Sequence, residues 1–424
     1  MSMLPSLKFH GTRWPATNFV DSKGCWKTLQ MAGHSSYCGA SASTSSPRVA
    51  PSRHITRAFG PRAAGRAQLP DVDRLYKLTN DSTTRHLSVE HIDEHQGYGF
   101  VASTYIDQDT TLVSVPLEKI VVGIDTDNAN VPWNVQMAAQ LLEMLYSGTA
   151  EAWMDALPGH VDLPFLYWSA DEVAQLADEN IIGEIEALAA FVRSDGVRDY
   201  LSGYDWKDVL WAFSMVHSRS FLYEQGQHLF APMIDLANHD SDPNATVRLL
   251  FSVDRCQGLQ ALEEIAPPRP SVSTGDRSVF ELVTTSYVQP GEQVCISYGA
   301  QPNDVLLLYF GFCLPDNPHD AVTFTDRDVA DVVAGATGDV ADRFFVSREG
   351  MDPRLSARLP SEASFAELCR RKLDHLRAID DSFKATAPTA STASTASTQR
   401  AQTAALYRAN KIGLLETVMS LLNV

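Results

Sequence analysis

The sequence predicts an α+β protein, with a β-rich region that carries a helical insert and an all-α region at the C-terminal end. Three observations lead there. Short β-branched stretches punctuated by Gly and Asp, GYGFVASTYI from Gly97 and TLVSVPLEKIVVG from Thr111, read as strands. Apolar residues then recur at three- and four-residue spacing between Pro132 and Phe221, the period of helices with one buried face. Beyond Asp320 the same helical period dominates to the end of the chain.

Taken in order, the insert at about 130–222 holds three helix patterns. NVQMAAQLLEMLY and ENIIGEIEALAAFV are the first two, and the third runs from Trp206 to Phe221 with Asp205 as N-cap. Strand signals return over Phe230–Ile234 and Arg248–Val253. Gln257–Phe280, rich in Pro, Ser and Gly, reads as a surface loop. A Pro-Gly turn launches the strand of PGEQVCISYG, and Asn303 is placed to cap the apolar helix NDVLLLYFGF. Pro388–Thr398, PTASTASTAST, lacks the apolar groups to pack and reads as a linker. After it, AALYRANKIGLLETVMSLL is an amphipathic helix. The implied organisation is a leader over 1–70, a body over 71–320, and a helical domain over 321–424.

Charge is unevenly distributed. Residues 1–70 hold nine of the 34 basic side chains but one of the 52 acidic ones, which leaves 25 against 51 for the rest, a net of −26. A body this acidic repels polyphosphate, so nucleic acid is not an expected partner. A basic peptide or protein surface is. The acid-poor, Ser- and Arg-containing first 70 residues read as an organelle transit peptide. A chloroplast stromal address is the first expectation and the mitochondrion the alternative. No apolar run reaches the roughly 20 residues of a membrane span, so no membrane partner is expected. The six cysteines form no C-x-x-C pair, which leaves zinc and dithiol chemistry without their usual spacing. Cys295 and Cys313 lie in apolar runs, as core residues do.

Two segments stand out chemically. In PMIDLANHD an apolar ladder ends in Asn238 and His239, and burying an amide and an imidazole is costly unless both find partners. In PGEQVCISYG the strand ends in Tyr298 and Gly299. GYGF, SRSF, PMIDLANHD, GEQVCISYG and LLLYFGF follow one another in that order, with the helical insert between the first two. This ordered set resembles the SET-domain methyltransferases of the Rubisco large-subunit methyltransferase type, over about residues 90–320 and more faintly beyond.

That resemblance implies a β-rich SET fold and a protein-lysine N-methyltransferase that uses S-adenosyl-L-methionine (SAM) and no metal. It implies that Gly97, Tyr98 and Gly99 cradle the methionine part of SAM. Arg219, Asn238 and His239 are further cofactor-binding residues. Arg219 also reaches the substrate, together with Asp235 and Phe310. Tyr298 is the implied catalytic residue and a substrate contact. Phe310 stands where the family often has a tyrosine, and Tyr223 where the Rubisco-type enzyme has a substrate-contacting arginine, which makes Rubisco itself a poor expectation for the target. A C-terminal helical domain that docks protein substrates belongs to the same pattern. The expected state is a monomer acting on a lysine of a non-histone, organellar protein. Methylation of histidine, or a SET fold that binds a partner without catalysis, are the competing expectations.

Overall fold

A computed structural model describes residue 75 and residues 86–93, 96–124, 131–223, 227–250, 278–333, 343–386 and 395–422. The expected leader over 1–70 and most of the Gln257–Phe280 segment lie outside these residues. The chain divides into two compact units. One, the β-rich unit, ends at His160, resumes at Leu201 and closes at Gly299; the other, the helical unit, takes Val161–Tyr200 and the chain from Ala300 onward.

In the β-rich unit ten strands follow in sequence: β1 Leu87–Asp93, β2 Gly97–Ala102, β3 Thr111–Pro116, β4 Val121–Ile124, β5 Phe221–Tyr223, β6 Gln227–Phe230, β7 Asn238–His239, β8 Ala245–Leu250, β9 Val279–Thr284 and β10 Gln293–Ile296. They form three small sheets ordered β1-β2-β10-β7, β3-β9-β8 and β4-β6-β5. Every pairing is antiparallel except that of β10 with β7. β9 is central to its sheet and five of its six residues are buried, which is why VFELVT reads as a run and not as an alternation. Phe100, Val113, Val121, Phe230, Phe280, Leu282 and Val294 are fully enclosed.

The expected helices are present at Trp133–Ser147, Glu179–Val192 and Trp206–Arg219. Asp205 caps the last of these as expected, accepting from the Lys207 amide. One expected strand is not a strand. After Phe230 the chain leaves β6 and makes a 3-10 turn over Ile234–Leu236, entered through Met233 at φ +71°. Pro232 has no N–H to give a ladder, and a left-handed residue next to it cannot continue one.

Two histidines are enclosed between the Trp133–Ser147 and Trp206–Arg219 helices and β6. His228 stacks face to face on Trp133 with centroids 3.6 Å apart, and the Asn134 amide lies 3.3 Å from His217 Nε2. Burial lowers both pKa values to about 3, with His228 adding to the effect on His217.

The helical unit is not wholly α. Ahead of its long helices stands a three-stranded antiparallel sheet, β11 Ala321–Thr325, β12 Arg343–Ser347 and β13 Gly350–Met351. The strands are so short that helical periodicity on either side masked them. Val322, Phe324, Phe344 and Val346 of this sheet share one core with Leu368, Leu373 and Leu376 of the helix Glu362–Thr386 and Leu414, Leu415 and Val418 of the helix Thr395–Leu421. The latter helix takes in Thr395–Thr398, the last four residues of the expected linker, since extending a formed helix adds a hydrogen bond per residue fixed; 388–394 lie outside the described residues.

Asn303 does not cap its helix either. Its amide donates to the Leu314 carbonyl and to Asp320, and its oxygen accepts from the Leu314 amide, so it ties a loop down. Next to it, Lys411 is fully buried, with Nζ 2.8 Å from Asp320 and 2.9 Å from Asp304. Burial alone would lower the Lys411 pKa, but the two carboxylates outweigh it and hold the pKa raised. Among the described residues no helix is long and apolar enough to cross a membrane.

Two outcomes are expected. Lys411→Met leaves two buried carboxylates facing each other without their cation and destabilises by about 3–5 kcal/mol in chemical denaturation. For the histidines the unfolded chain binds protons below about pH 6.5 and the native state does not. Unfolding free energy is therefore full above that value and falls as pH drops toward 3, by up to about 1.4 kcal/mol per pH unit for each ring. Urea titrations of wild type and His228→Gln between those limits check this, the variant losing about half of the slope.

Candidate active site

β10 gathers the site. On one edge it pairs with β2, Gln293 opposite Val101 and Val294 opposite Phe100. On its other edge it runs parallel to β7, with Cys295 opposite Asn238 and Ile296 opposite His239. The glycine segment, the Asn-His pair and the tyrosine after β10 thus become neighbours, although up to about 200 residues separate them along the chain. Asn244, which no motif singled out, secures the arrangement: its Nδ2 donates to the Gln293 carbonyl and its Oδ1 accepts from the Cys295 amide, 2.8 and 2.9 Å.

Tyr298 is held at both ends. Its amide donates to Nδ1 of His239 at 3.2 Å, and its hydroxyl donates to the Ala237 carbonyl at 3.1 Å. The two rings lie 5.2 Å apart. Burial pushes the phenol up to about 12; Arg219 pulls the other way, while Asp235 and Cys295 add to the rise. The phenol therefore stays protonated at any physiological pH.

Arg219 ends the helix Trp206–Arg219, where a cation suits the helix dipole. Its Nη1 donates to the Asp235 carbonyl at 2.9 Å and to Asp235 Oδ2 at 3.1 Å. Asp235 itself is buried, and desolvation raises its pKa in spite of the opposing pull of Arg219. Its carboxyl thus anchors an arginine from within.

Asn238 faces β2, with Nδ2 3.4 Å from the Tyr98 carbonyl. The Tyr98 ring instead turns to His91, edge-on at 5.6 Å. Gly99 is where the backbones approach most closely: a Cβ there would stand 2.6 Å from Asn238 Nδ2 and 2.9 Å from Gln293 Nε2. Gly97 opens the strand at φ +67°, a conformation that side chains disfavour. Eight of the nine residues singled out in the sequence therefore share the β-rich unit. Phe310 belongs to the helical unit, in a π-helical turn, Leu306–Phe310, with its ring 6.3 Å from Phe312. Cys295 and Cys313 are buried, as expected of core residues. Among the described residues no group of three His, Cys, Asp or Glu side chains is gathered as for a metal ion.

With that geometry in place, residues 97–299 match the SET domain family. This part of the chain is a SET domain. Its fold is similar to that of the Rubisco large-subunit methyltransferase: the structure of that enzyme's SET domain bound to lysine and AdoHcy superposes with a TM-score of 0.58 at 15% identity, covering 83% of this chain and 90% of that one. Among proteins of assigned activity, the chain is similar to the chloroplastic [fructose-bisphosphate aldolase]-lysine N-methyltransferase of Arabidopsis thaliana, 24% identical over 255 residues that make up 54% of this chain and 49% of the relative. It is also similar to a ribosomal lysine N-methyltransferase of Schizosaccharomyces pombe, 24% identical over 284 residues, 59% of this chain and 47% of the relative. The chain thus spans about half the length of these relatives. The α+β expectation holds, with a SET fold and a largely helical C-terminal part.

The close approach at Gly99 leaves no room for a side chain between β2 and the Asn238 and Gln293 side chains. Gly99→Ala should fold, because the two atoms in its way end flexible side chains, but it displaces the Asn238 amide. Calorimetry with S-adenosylhomocysteine is expected to show affinity lowered about tenfold, the scale of one or two lost hydrogen bonds.

Proposed function

We propose that the chain is a SAM-dependent protein-lysine N-methyltransferase acting on a non-histone protein inside an organelle, the plastid in the first place. One observation carries the reading: the Tyr298 phenol, protonated and pinned to the Ala237 carbonyl, stands two residues beyond β10, the strand that joins the Gly97–Gly99 strand to the Asn238-His239 pair. The relatives support lysine as the target residue, since two are lysine N-methyltransferases by name. The chloroplastic one supports the plastid, in agreement with the basic, acid-poor first 70 residues.

The residues divide the work as follows. Gly97, Tyr98 and Gly99 offer backbone to the cofactor, with the Asn238 amide and His239 on the facing strand and Arg219 as the cation. Bound there, SAM supplies a methyl group on a positively charged sulfur. Tyr298 is a hydrogen-bonding group and not the base, because burial keeps it a phenol. Its O–H donates to Ala237, and a phenol oxygen that donates can also accept, here from the N–H of an entering amine, whose direction it would fix. Holding a nucleophile in line is worth about 7–11 kcal/mol of barrier, enough for a transfer that asks for little covalent help. Asp235 holds Arg219 from within. The substrate role of Phe310 rests on the resemblance alone. Residues 71–320 are then the catalytic region behind a leader over 1–70, and 321–424 the region that docks the protein substrate.

Incubation with methyl-labelled SAM and a plastid stromal extract tests the reading, with the modified residue located by mass spectrometry. A labelled lysine is expected, and Tyr298→Phe should lower turnover about 10²–10³-fold, as removal of a preorganised dipole does, with cofactor affinity nearly intact. Label on histidine would move the target class. Equal turnover in the variant would remove Tyr298 from its role.

A further inference from the structure

The Arg219–Asp235 pair is incomplete on its inner side. Oδ2 of Asp235 accepts from Arg219, but Oδ1 is buried and no hydrogen bond of ordinary length reaches it. Nε1 of Trp153 is buried in the same condition. Trp153 comes from the short helix Glu151–Ala156, inside the insert, and is 1% exposed. Its ring stands edge-on to Phe230 with centroids 4.7 Å apart, five residues before Asp235. Its indole also joins Arg219 in pulling the Asp235 pKa down against desolvation. A buried donor and a buried acceptor, neither with a hydrogen bond of ordinary length, thus bear on each other in a dry interior, where each alone is costly.

We propose that Trp153 is a positioning residue: its indole N–H closes on Asp235 Oδ1 and fixes the carboxylate that holds Arg219 in place. The proposal rests on the reading of the site as a methyl-transfer centre. The other groups that bear on this carboxyl are Arg219 and Tyr298, and Tyr298 in turn faces Arg219, Asp235 and Cys295. Without the indole donor Asp235 takes up its proton at a higher pH. Arg219 then loses its counter-charge, and the cofactor site loses the fixed orientation of its cation. The acid limb of cofactor binding moves upward in pH.

The full chain with Trp153→Phe keeps a ring in place and removes the N–H. Two measurements test it: a double-mutant cycle with Asp235→Asn in urea, and the affinity for S-adenosylhomocysteine by calorimetry from about pH 5.5 to about pH 8.5. The two substitutions are expected to be non-additive in stability. The acid limb of Trp153→Phe should sit about one pH unit above that of wild type, the scale of one hydrogen bond to a charged group. In an Asp235→Asn background, Trp153→Phe should leave the limb where it is. Additive stabilities overturn the contact. Coupled stabilities with superimposed pH limbs overturn the positioning role and leave a packing tryptophan. A wild type that does not bind the nucleoside at all overturns the methyl-transfer reading instead, and the cycle still decides whether indole and carboxyl meet.

Discussion

The site depends on one strand, β10, being paired on both edges by segments distant in sequence. Its antiparallel edge takes the glycine strand β2, and its parallel edge takes two residues, Asn238 and His239. A two-residue parallel ladder is weak by itself, and buried backbone donors and acceptors cannot be left open. Asn244 supplies what the short ladder lacks, giving one donor and one acceptor to the β10 backbone. Tyr298 leaves the strand two residues later with its amide on His239 and its hydroxyl on Ala237. Its direction is therefore fixed by the same segment that carries the Asn-His pair.

That segment, Asp235 to His239, links every polar element of the site. It gives a carboxylate and a carbonyl to Arg219, a carbonyl to Tyr298, an amide toward Tyr98 and an imidazole to the Tyr298 backbone. The 3-10 turn over Ile234–Leu236 makes this possible. A strand would send alternate side chains to opposite faces, whereas the turn lets residues 235, 237, 238 and 239 serve one neighbourhood. The charges there are few and enclosed. Desolvation pushes both Asp235 and Tyr298 upward, and one guanidinium opposes it in each case. Low local polarizability makes the placement of that guanidinium matter more than it would in water.

The helical unit shows the same economy of buried charge for a different end. Lys411 is neutralised by Asp304 and Asp320 and anchors the helix Thr395–Leu421 to the loop that Asn303 ties down. Replacing such a triad with apolar groups can be neutral, while removing one member is not, so its worth lies in fixing register as much as in stability.

The sequence by itself determined the class of fold, the three insert helices, the Asp205 cap, and the set of short motifs whose order carried the family resemblance. Each of these is local: a helical period, a capping side chain, a Gly where backbones meet, an Asn-His pair ending an apolar run. What only the tertiary structure decided was non-local or conformational. Phe230–Ile234 reads as strand until Met233 takes a positive φ, and the strands of the β11–β13 sheet are too short to interrupt a helical pattern. Asn303 looked like a cap because Asn caps helices, yet its partners Leu314 and Asp320 lie 11 and 17 residues away. Trp153 and Asn244 carried no signal at all, since an indole or an amide acquires a role only from what folding places opposite it. Hydrogen bonding and charge depend on distance in space, and a sequence specifies distance along the chain.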